Sequence, residues 1–271
     1  MLRYLEGKKL YVRDVYACAK QDYRLNIRVL NTKAWHNLFC HNMFLRPLEE
    51  KKSEFEPNFI IINIPEFIAD PSIDGTRKGN FVVINFSKKI ILIWGTGYAT
   101  EMKKSIFSVS NFILPHQENV LSMHCSANIG EDGDTAIFFG FYGIGKTTLS
   151  ADPKRILIGD DEHGWDEGSI FNFEGGCYAK VINLTREKEP RIFDAIKFWA
   201  IVENTRFTKG TREVDYNNIS VTQNTRTAYP INFIGNVANP SLGGIPKNIF
   251  FLTCDSLVYY LLFHSSIKVR Q

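Results

Sequence analysis

The run Gly140-Phe141-Tyr142-Gly143-Ile144-Gly145-Lys146-Thr147 fits the pattern G-x-x-x-x-G-K-[ST]. Successive backbone N–H groups of such a loop can turn inward toward phosphate oxygens. Its glycines let the main chain come close and take φ angles that side chains forbid. In this reading Lys146 neutralises the β and γ phosphates, and Thr147 offers a hydroxyl to Mg²⁺. A β-rich run, Thr135 to Phe139, leads into the loop, as the motif requires. By itself the motif says only that a nucleoside triphosphate binds. Asp152-Pro153 follows closely, and proline disfavours helix at the residue before it, so the helix after Lys146 is expected to last about one turn. Ras-like and ATPase loops open a long helix there.

A second chemical signature comes at once. Ile156-Leu157-Ile158-Gly159 reads as an apolar strand that ends in Asp160-Asp161-Glu162-His163. Neighbours on a strand point to opposite faces. Asp160 and Asp161 would therefore address different ligands, one the Mg²⁺ of a nucleotide and the other a second cation, unless the strand has already ended. A solvated acidic turn is the plainer alternative. His124 lies in Ser122-Met123-His124-Cys125, a strand feeding toward the loop. A single histidine in an apolar strand is more often a core side chain with one hydrogen bond than a ligand. Lys103-Lys104 sits early in a helix, where a lysine pair is usually a solvated face.

These groups need a scaffold. Leu10–Val15 and Leu25–Val29 read as strands, and Thr32–Phe44 as a helix with Trp35, Leu38, Phe39 and Met43 at helical spacing. Phe59–Ile64 and Phe81–Phe86 read as buried strands. Lys88-Lys89 reads as a turn into a further strand, Ile90–Trp94. Glu101–Leu114 is a helix that Pro115 stops. Beyond it, short strands and Gly-rich turns dominate: Val120–Ala127, Thr135–Phe139, Ile156–Ile158 and Ile170–Phe173, then a helix at Ile192–Val202. The mixture of helix and strand predicts an α/β or α+β class. The change of character near Pro115–Glu118 divides the chain into 1–116 and 117–255.

Composition narrows the partners. The chain has 271 residues, 44% of them hydrophobic, enough for a sizeable core. With 32 basic and 29 acidic residues the net charge is +3, which calls for neither nucleic acid nor an anionic membrane. No segment approaches the roughly 20 apolar residues of a membrane span. The five cysteines are dispersed and form no CxxC pair, which fits reduced thiols in the cytoplasm.

Taken in order, the pieces resemble one family. They are Gly95-Thr96-Gly97-Tyr98-Ala99-Thr100-Glu101-Met102-Lys103-Lys104, the His124 strand, the phosphate loop with Thr148, the block from Leu157 to Trp165, Phe171 to Lys180, Glu203-Asn204, and Asn224 to Pro230. The chain resembles ATP-dependent phosphoenolpyruvate carboxykinases over about residues 5–255. The resemblance implies an enzyme of gluconeogenesis that decarboxylates oxaloacetate and phosphorylates the resulting enolate with ATP, using Mg²⁺ and Mn²⁺. It implies Lys104, His124 and Asp161 as Mn²⁺ ligands and Asp160 on the Mg²⁺ side. It puts Tyr98 and Lys103 near oxaloacetate, and Arg226 between substrate and γ-phosphate. Lys180 would lie near the nucleotide phosphates and Glu189 near the ribose. A monomer is expected.

Departures from the family pattern carry expectations of their own. An upstream Arg-Ser-Pro-Lys-Asp-Lys type motif is expected to precede the first residue here. The resemblance stops at Asp255, and 256–271 reads as an unrelated tail. Tyr142 and Ile144 stand where the family has Ser and Thr, which narrows the phosphate cradle, and Trp199 replaces a small residue on a helix expected to be packed. A second reading is therefore an inactive fragment, or an ATP-binding remnant, of such an enzyme. A protein kinase of the HPr type is the weakest alternative, because it would not share the Tyr98–Lys104 block. Exposed apolar strand edges are expected to give poor solubility.

Overall fold

A computed structural model describes residues 2–48, 54–140 and 146–253. After a first turn, α1 (Leu2–Leu5), the chain builds β1 (Tyr11–Ala17), β2 (Leu25–Asn31), α2 (Ala34–Met43) and β3 (Phe59–Ile64). A turn of helix α3 (Pro71–Asp74), β4 (Phe81–Asn85), β5 (Ile90–Trp94) and the long helix α4 (Thr100–Gln117) follow. The strands form one sheet in the order β1-β2-β3-β5-β4. Its central pairs, β2 with β3 and β3 with β5, are parallel, and both outer pairs are antiparallel. β5 is a continuous apolar run, and β3 is one apart from Asn63, as strands covered on both faces tend to be. β4 does not share that burial: Val82 and Val83 are exposed, because β4 closes the edge of the sheet.

Phe39 and Met43 from α2, and Met102, Ile106 and Val109 from α4, pack on Ile27, Val29, Ile61, Ile91 and Ile93 in one core. Trp35 belongs to the apolar spacing predicted for α2, yet it is exposed. The buried face carries polar His36 and Asn42 instead. Asn42 Nδ2 donates to the carbonyls of Trp199 and Ala228, tying α2 to a distant part of the chain.

Pro115 does not stop α4, which runs to Gln117. Only the final turn lies beyond the proline, and the N–H groups of Glu118 and Val120 both donate to Leu114 O to close it. Next come β6 (Leu121–His124), β7 (Ser126–Ile129), β8 (Thr135–Gly140), α5 (Lys146–Ser150), β9 (Ile156–Gly159), β10 (Glu162–Trp165), β11 (Ile170–Asn172) and β12 (Gly176–Lys180). The single strand expected over Val120–Ala127 is two strands that part at Cys125 and join different sheets. The remainder is α6 (Pro190–Ala195), β13 (Ile201–Glu203), β14 (Arg206–Phe207), β15 (Val214–Asp215), β16 (Arg226–Pro230), β17 (Leu242–Gly243) and β18 (Pro246–Leu252). Sheets of order β17-β11-β10-β6, β18-β8-β7-β9 and β12-β16-β13 result, with β14-β15 as a separate ribbon. The chain is thus a mixed α/β protein. Among the described residues no helix is long and apolar enough to cross a membrane.

The helix expected over Ile192–Val202 is overturned. It ends at Ala195, and Ile201–Glu203 is a strand paired with Arg226–Ala228. Between them Trp199 takes φ 79°, which no α-helix permits. Pairing with β16 and the Asn42 hydrogen bond to Trp199 O outweigh local helix propensity. Trp199 is accordingly half-exposed in a turn and not a residue of a packed helix.

Candidate functional site

Three sheets and two helices deliver charged groups to one cleft of about 370 Å³. α4 supplies Lys103 and Lys104, β6 supplies His124, and α5 supplies Lys146 and Thr148. β12 ends in Lys180 and β16 begins with Arg226, the two being register partners across an antiparallel pair. Glu189, just before α6, completes the wall. Asp160 and Asp161 occupy the turn between β9, which ends at Gly159, and β10, which begins at Glu162. The strand has therefore ended before the pair, and both side chains reach the same cleft.

Gly140 closes β8 with φ 155°, a conformation open to glycine, and its carbonyl accepts from Lys146 Nζ at 2.5 Å. Phe141, Tyr142, Gly143, Ile144 and Gly145 lie outside the described residues. Lys146 is the first residue of α5 and Thr147 the second; the helix is five residues long, in keeping with the single turn expected before Pro153. Thr148 Oγ1 donates to Glu189 Oε1 at 2.6 Å. The Gly175-Gly176 pair is required by close packing, since a Cβ on Gly176 would meet Asn42 O at 2.0 Å. This contact seats β12, and hence Lys180, against the end of α2.

The centre of the site is ionic. His124 Nε2 lies 2.5 Å from Asp161 Oδ1, and Lys104 Nζ lies 3.3 Å from Asp161 Oδ2 and 2.7 Å from Glu162 Oε1. Lys103, with 3% of its side chain exposed, places its ammonium 2.6 Å from Asp161 Oδ2 and 2.8 Å from Glu174 Oε1. It is not the solvated lysine its neighbourhood in sequence suggests. Burial alone would lower its pKa, but Asp161, Glu174, Glu162 and Asp160 outweigh that and raise it well above the ordinary value. Burial opposes ionisation of Asp161 too, yet Lys103, His124 and Lys104 carry its pKa well below the usual carboxylate range. Asp160 differs: burial pushes it up to about 6, only partly opposed by Lys103. Its Oδ1 is buried without a hydrogen-bond partner. Burial and the neighbouring acids also raise Glu174 well above its ordinary value.

Two donor sets for a cation can be compared. Asp161, Glu162 and Glu174 bring carboxylate oxygens within 4.8 Å of one another, but the Lys103 ammonium already lies between Asp161 and Glu174 and the Lys104 ammonium lies against Glu162. His124 Nε2 and Asp161 face the open cleft beside Lys104 Nζ, which burial opposes but Glu162 and Asp161 favour as an ammonium and which could join them as a ligand only after losing its proton to the field of a dication.

Arg226 donates from Nε to Asn224 Oδ1 at 2.9 Å, and its guanidinium lies 5.3 Å from the Tyr178 ring centroid. The Tyr178 hydroxyl in turn donates to Glu203 through a short bond. Tyr98 stands apart from the charged cleft. It lines the neighbouring hollow of about 390 Å³ with Trp35, Gly97 and Glu203. Residue-by-residue reading missed Glu162, Glu174 and Tyr178. The available signal was an acid, Glu174, closing an apolar strand run at Ile170–Phe173 and ending buried.

A model of the phosphoenolpyruvate carboxykinase family matches residues 1–258. The chain is 58% identical over 254 residues to phosphoenolpyruvate carboxykinase (ATP) of Amoebophilus asiaticus, covering 94% of this chain and 49% of that protein. It is 61% identical over 254 residues to the Flavobacterium johnsoniae protein of the same name, covering 93% of this chain and 48% of that protein. The Bacillus cereus protein is 56% identical over 257 residues, again with 48% of its length covered. The chain therefore spans about half the length of these curated relatives. With a family match along nearly its whole length and relatives 56–61% identical over at least 93% of it, the chain belongs to the ATP-dependent phosphoenolpyruvate carboxykinase family.

Proposed function

We propose that this chain forms the nucleotide- and metal-binding part of a catalytic site that converts oxaloacetate and ATP to phosphoenolpyruvate, CO₂ and ADP. One observation carries the reading: Lys104, His124, Asp161, Lys146 and Arg226, which are far apart in sequence, line a single cleft. The nucleotide phosphates are assigned to Lys146, Lys180 and the loop from Gly140 to Thr148, with Glu189 at the sugar. Its division into 1–116 and 117–255 is part of the proposal, α4 bringing Lys103 and Lys104 from the first part to the second.

The chemistry needs loss of CO₂ from oxaloacetate, which leaves the enolate of pyruvate. The enolate oxygen then attacks the γ-phosphorus, and the bond to the ADP oxygen breaks. Lys104, His124 and Asp161 would hold Mn²⁺, with Thr147 and Asp160 serving Mg²⁺ on the nucleotide. Dications there supply charge stabilisation at the enolate and phosphoryl oxygens. Lys103, held charged by its buried carboxylates, keeps a positive potential beside the position where enolate charge develops. Arg226, braced by Asn224 and Tyr178, can bridge the substrate and the transferring phosphoryl group. Catalysis in this scheme is mainly positioning and electrostatics.

Calorimetric titration with ATP, in Mg²⁺ and Mn²⁺, of this chain and of Lys146→Ala tests the nucleotide assignment. Binding by the parent chain, weakened at least about 10-fold in the variant, is expected from loss of one charge-assisted contact. Failure of the parent chain to bind ATP would remove the catalytic reading and favour a remnant of the enzyme.

A further inference from the structure

Away from the charged cleft lie two adjoining clefts, of about 320 and 430 Å³, each lined by Tyr16, Arg24 and Arg46. These volumes fall in the range of small-molecule sites, roughly 300–1,000 Å³. Among the described residues neither cleft is lined by an aspartate or glutamate, and none of their lining residues belongs to the wall of the nucleotide cleft. We propose that Arg24 and Arg46 form a second binding site, for a small oxyanion bearing carboxylate or phosphate groups.

The argument rests on what the two guanidinium groups lack. Arg28, nearby on β2, takes both oxygens of Asp14 at 2.7 and 2.8 Å, and Arg155 pairs with Asp134 at 2.9 Å. Among the described residues Arg24 and Arg46 have no carboxylate partner. Arg24 stacks its guanidinium carbon 4.9 Å from the Tyr16 ring centroid, and its one hydrogen bond runs 3.5 Å to Ala19 O. Among the described residues its Nε is buried with no acceptor. Leaving such a donor unmatched is costly, and a bound acceptor relieves the cost. Arg46 donates to His41 O at 2.8 Å, which uses part of its fork. The nearby charge of Arg13 adds to the positive potential around it.

The two arginines are brought together by backbone pairing. Tyr16 and Leu45 exchange both N–H···O bonds at 2.8 and 2.9 Å, which fixes Arg46 beside the strand that carries Tyr16. Asn26 is the register partner of Tyr16 on β2, and Asn232, Asn239 and Ser241 line the deeper cleft. Guanidinium forks match the paired oxygens of a carboxylate or phosphate, and amides and hydroxyls can take the remaining acceptors. Gly175, which lines the larger cleft, is the chain neighbour of Glu174, the partner of Lys103.

The test is calorimetric titration with inorganic phosphate and with citrate, at low ionic strength, against chloride as control. The chain, Arg24→Gln/Arg46→Gln, Arg24→Lys and Lys146→Ala are compared, with circular dichroism melts to establish folding. Binding of phosphate, of citrate or of both is expected, and which of them binds assigns the oxyanion class. The double glutamine variant should bind at least about 10-fold more weakly, and Arg24→Lys, which keeps charge without the fork, should fall between. Lys146→Ala should retain this binding, which separates the site from the phosphate loop. If the double variant does not fold, Arg24→Lys decides, and unweakened binding by it overturns the proposal. So does a parent chain that binds neither probe, or binding that follows Lys146 and not the arginines.

Discussion

Lys103 shows how much of this site is decided by single side chains. A buried ammonium is tolerated only while its counter-charges stay in place, and here Asp161 and Glu174 hold it from 2.6 and 2.8 Å. Lys103→Met removes the cation and leaves buried carboxylates facing one another, which should cost about 3–5 kcal/mol of stability. Glu174→Gln in the same background relieves part of that repulsion. Urea melts of both single variants and the double variant should therefore show strong non-additivity, with the double less destabilised than the sum. Additive losses would mean that the two groups do not act as a pair. The phosphate-loop pattern and the acidic pair were legible in the sequence because each is local. The tie between Lys103 and Glu174 was not, because it joins a helix to the end of a distant strand, and no spacing rule links them.

At the scale of elements, α2 is the joint between the first sheet and β16, and its histidine makes that joint sensitive to acid. His36 is buried, with Nε2 3.0 Å from Gly97 O and Nδ1 3.0 Å from Asn63 Nδ2. A carbonyl needs a donor and an amide N–H needs an acceptor, so the ring is neutral with its proton on Nε2. Burial pushes its pKa down to about 4. The unfolded chain takes up that proton near pH 6.5, whereas the folded chain does not until about pH 4. Stability is therefore full above pH 6.5 and falls as the pH drops toward 4, by up to about 1.4 kcal/mol per pH unit from this group. His163, also buried and also held to about 4, adds a similar share. Melts from pH 7 to 4.5 should show the decline, and His36→Gln should remove His36's share while His163's remains. A slope unchanged by the variant would show that His36 takes up its proton in the fold at the same pH as in the unfolded chain. The boundaries of α2 were readable from apolar spacing, but its buried polar face was not, since partners such as Asn63 and Gly97 are set by tertiary packing. The same limit explains Ile192–Val202, where helical spacing yields to a strand captured by β16.

For the whole molecule, composition and alternation were sufficient for the mixed α/β class and for its low net charge, whereas the order of strands across sheets depends on contacts between distant segments. β18 illustrates the consequence. It pairs in parallel with β8 and is the outermost strand of its sheet, so among the described residues its other edge has no strand partner. Phe250 stacks on Phe138 at 5.0 Å and Phe251 on Phe139 at 5.3 Å, yet the two remain 45% and 76% exposed. An edge whose one charge is Lys247 near its start, and which carries large apolar side chains on both faces beyond it, is a template for pairing with another chain. This chain, taken alone, should associate: sedimentation velocity should give a species distribution that shifts to larger sizes with concentration. Phe251→Lys puts a charge on the exposed side of that edge, and it should move the distribution toward monomer while changing the melting temperature little. The same associated species in the variant would place the contact elsewhere on the molecule. A parent chain that stays monomeric, with a sharp cooperative melt, would mean that the β18 edge is protected despite the exposure of its phenylalanines.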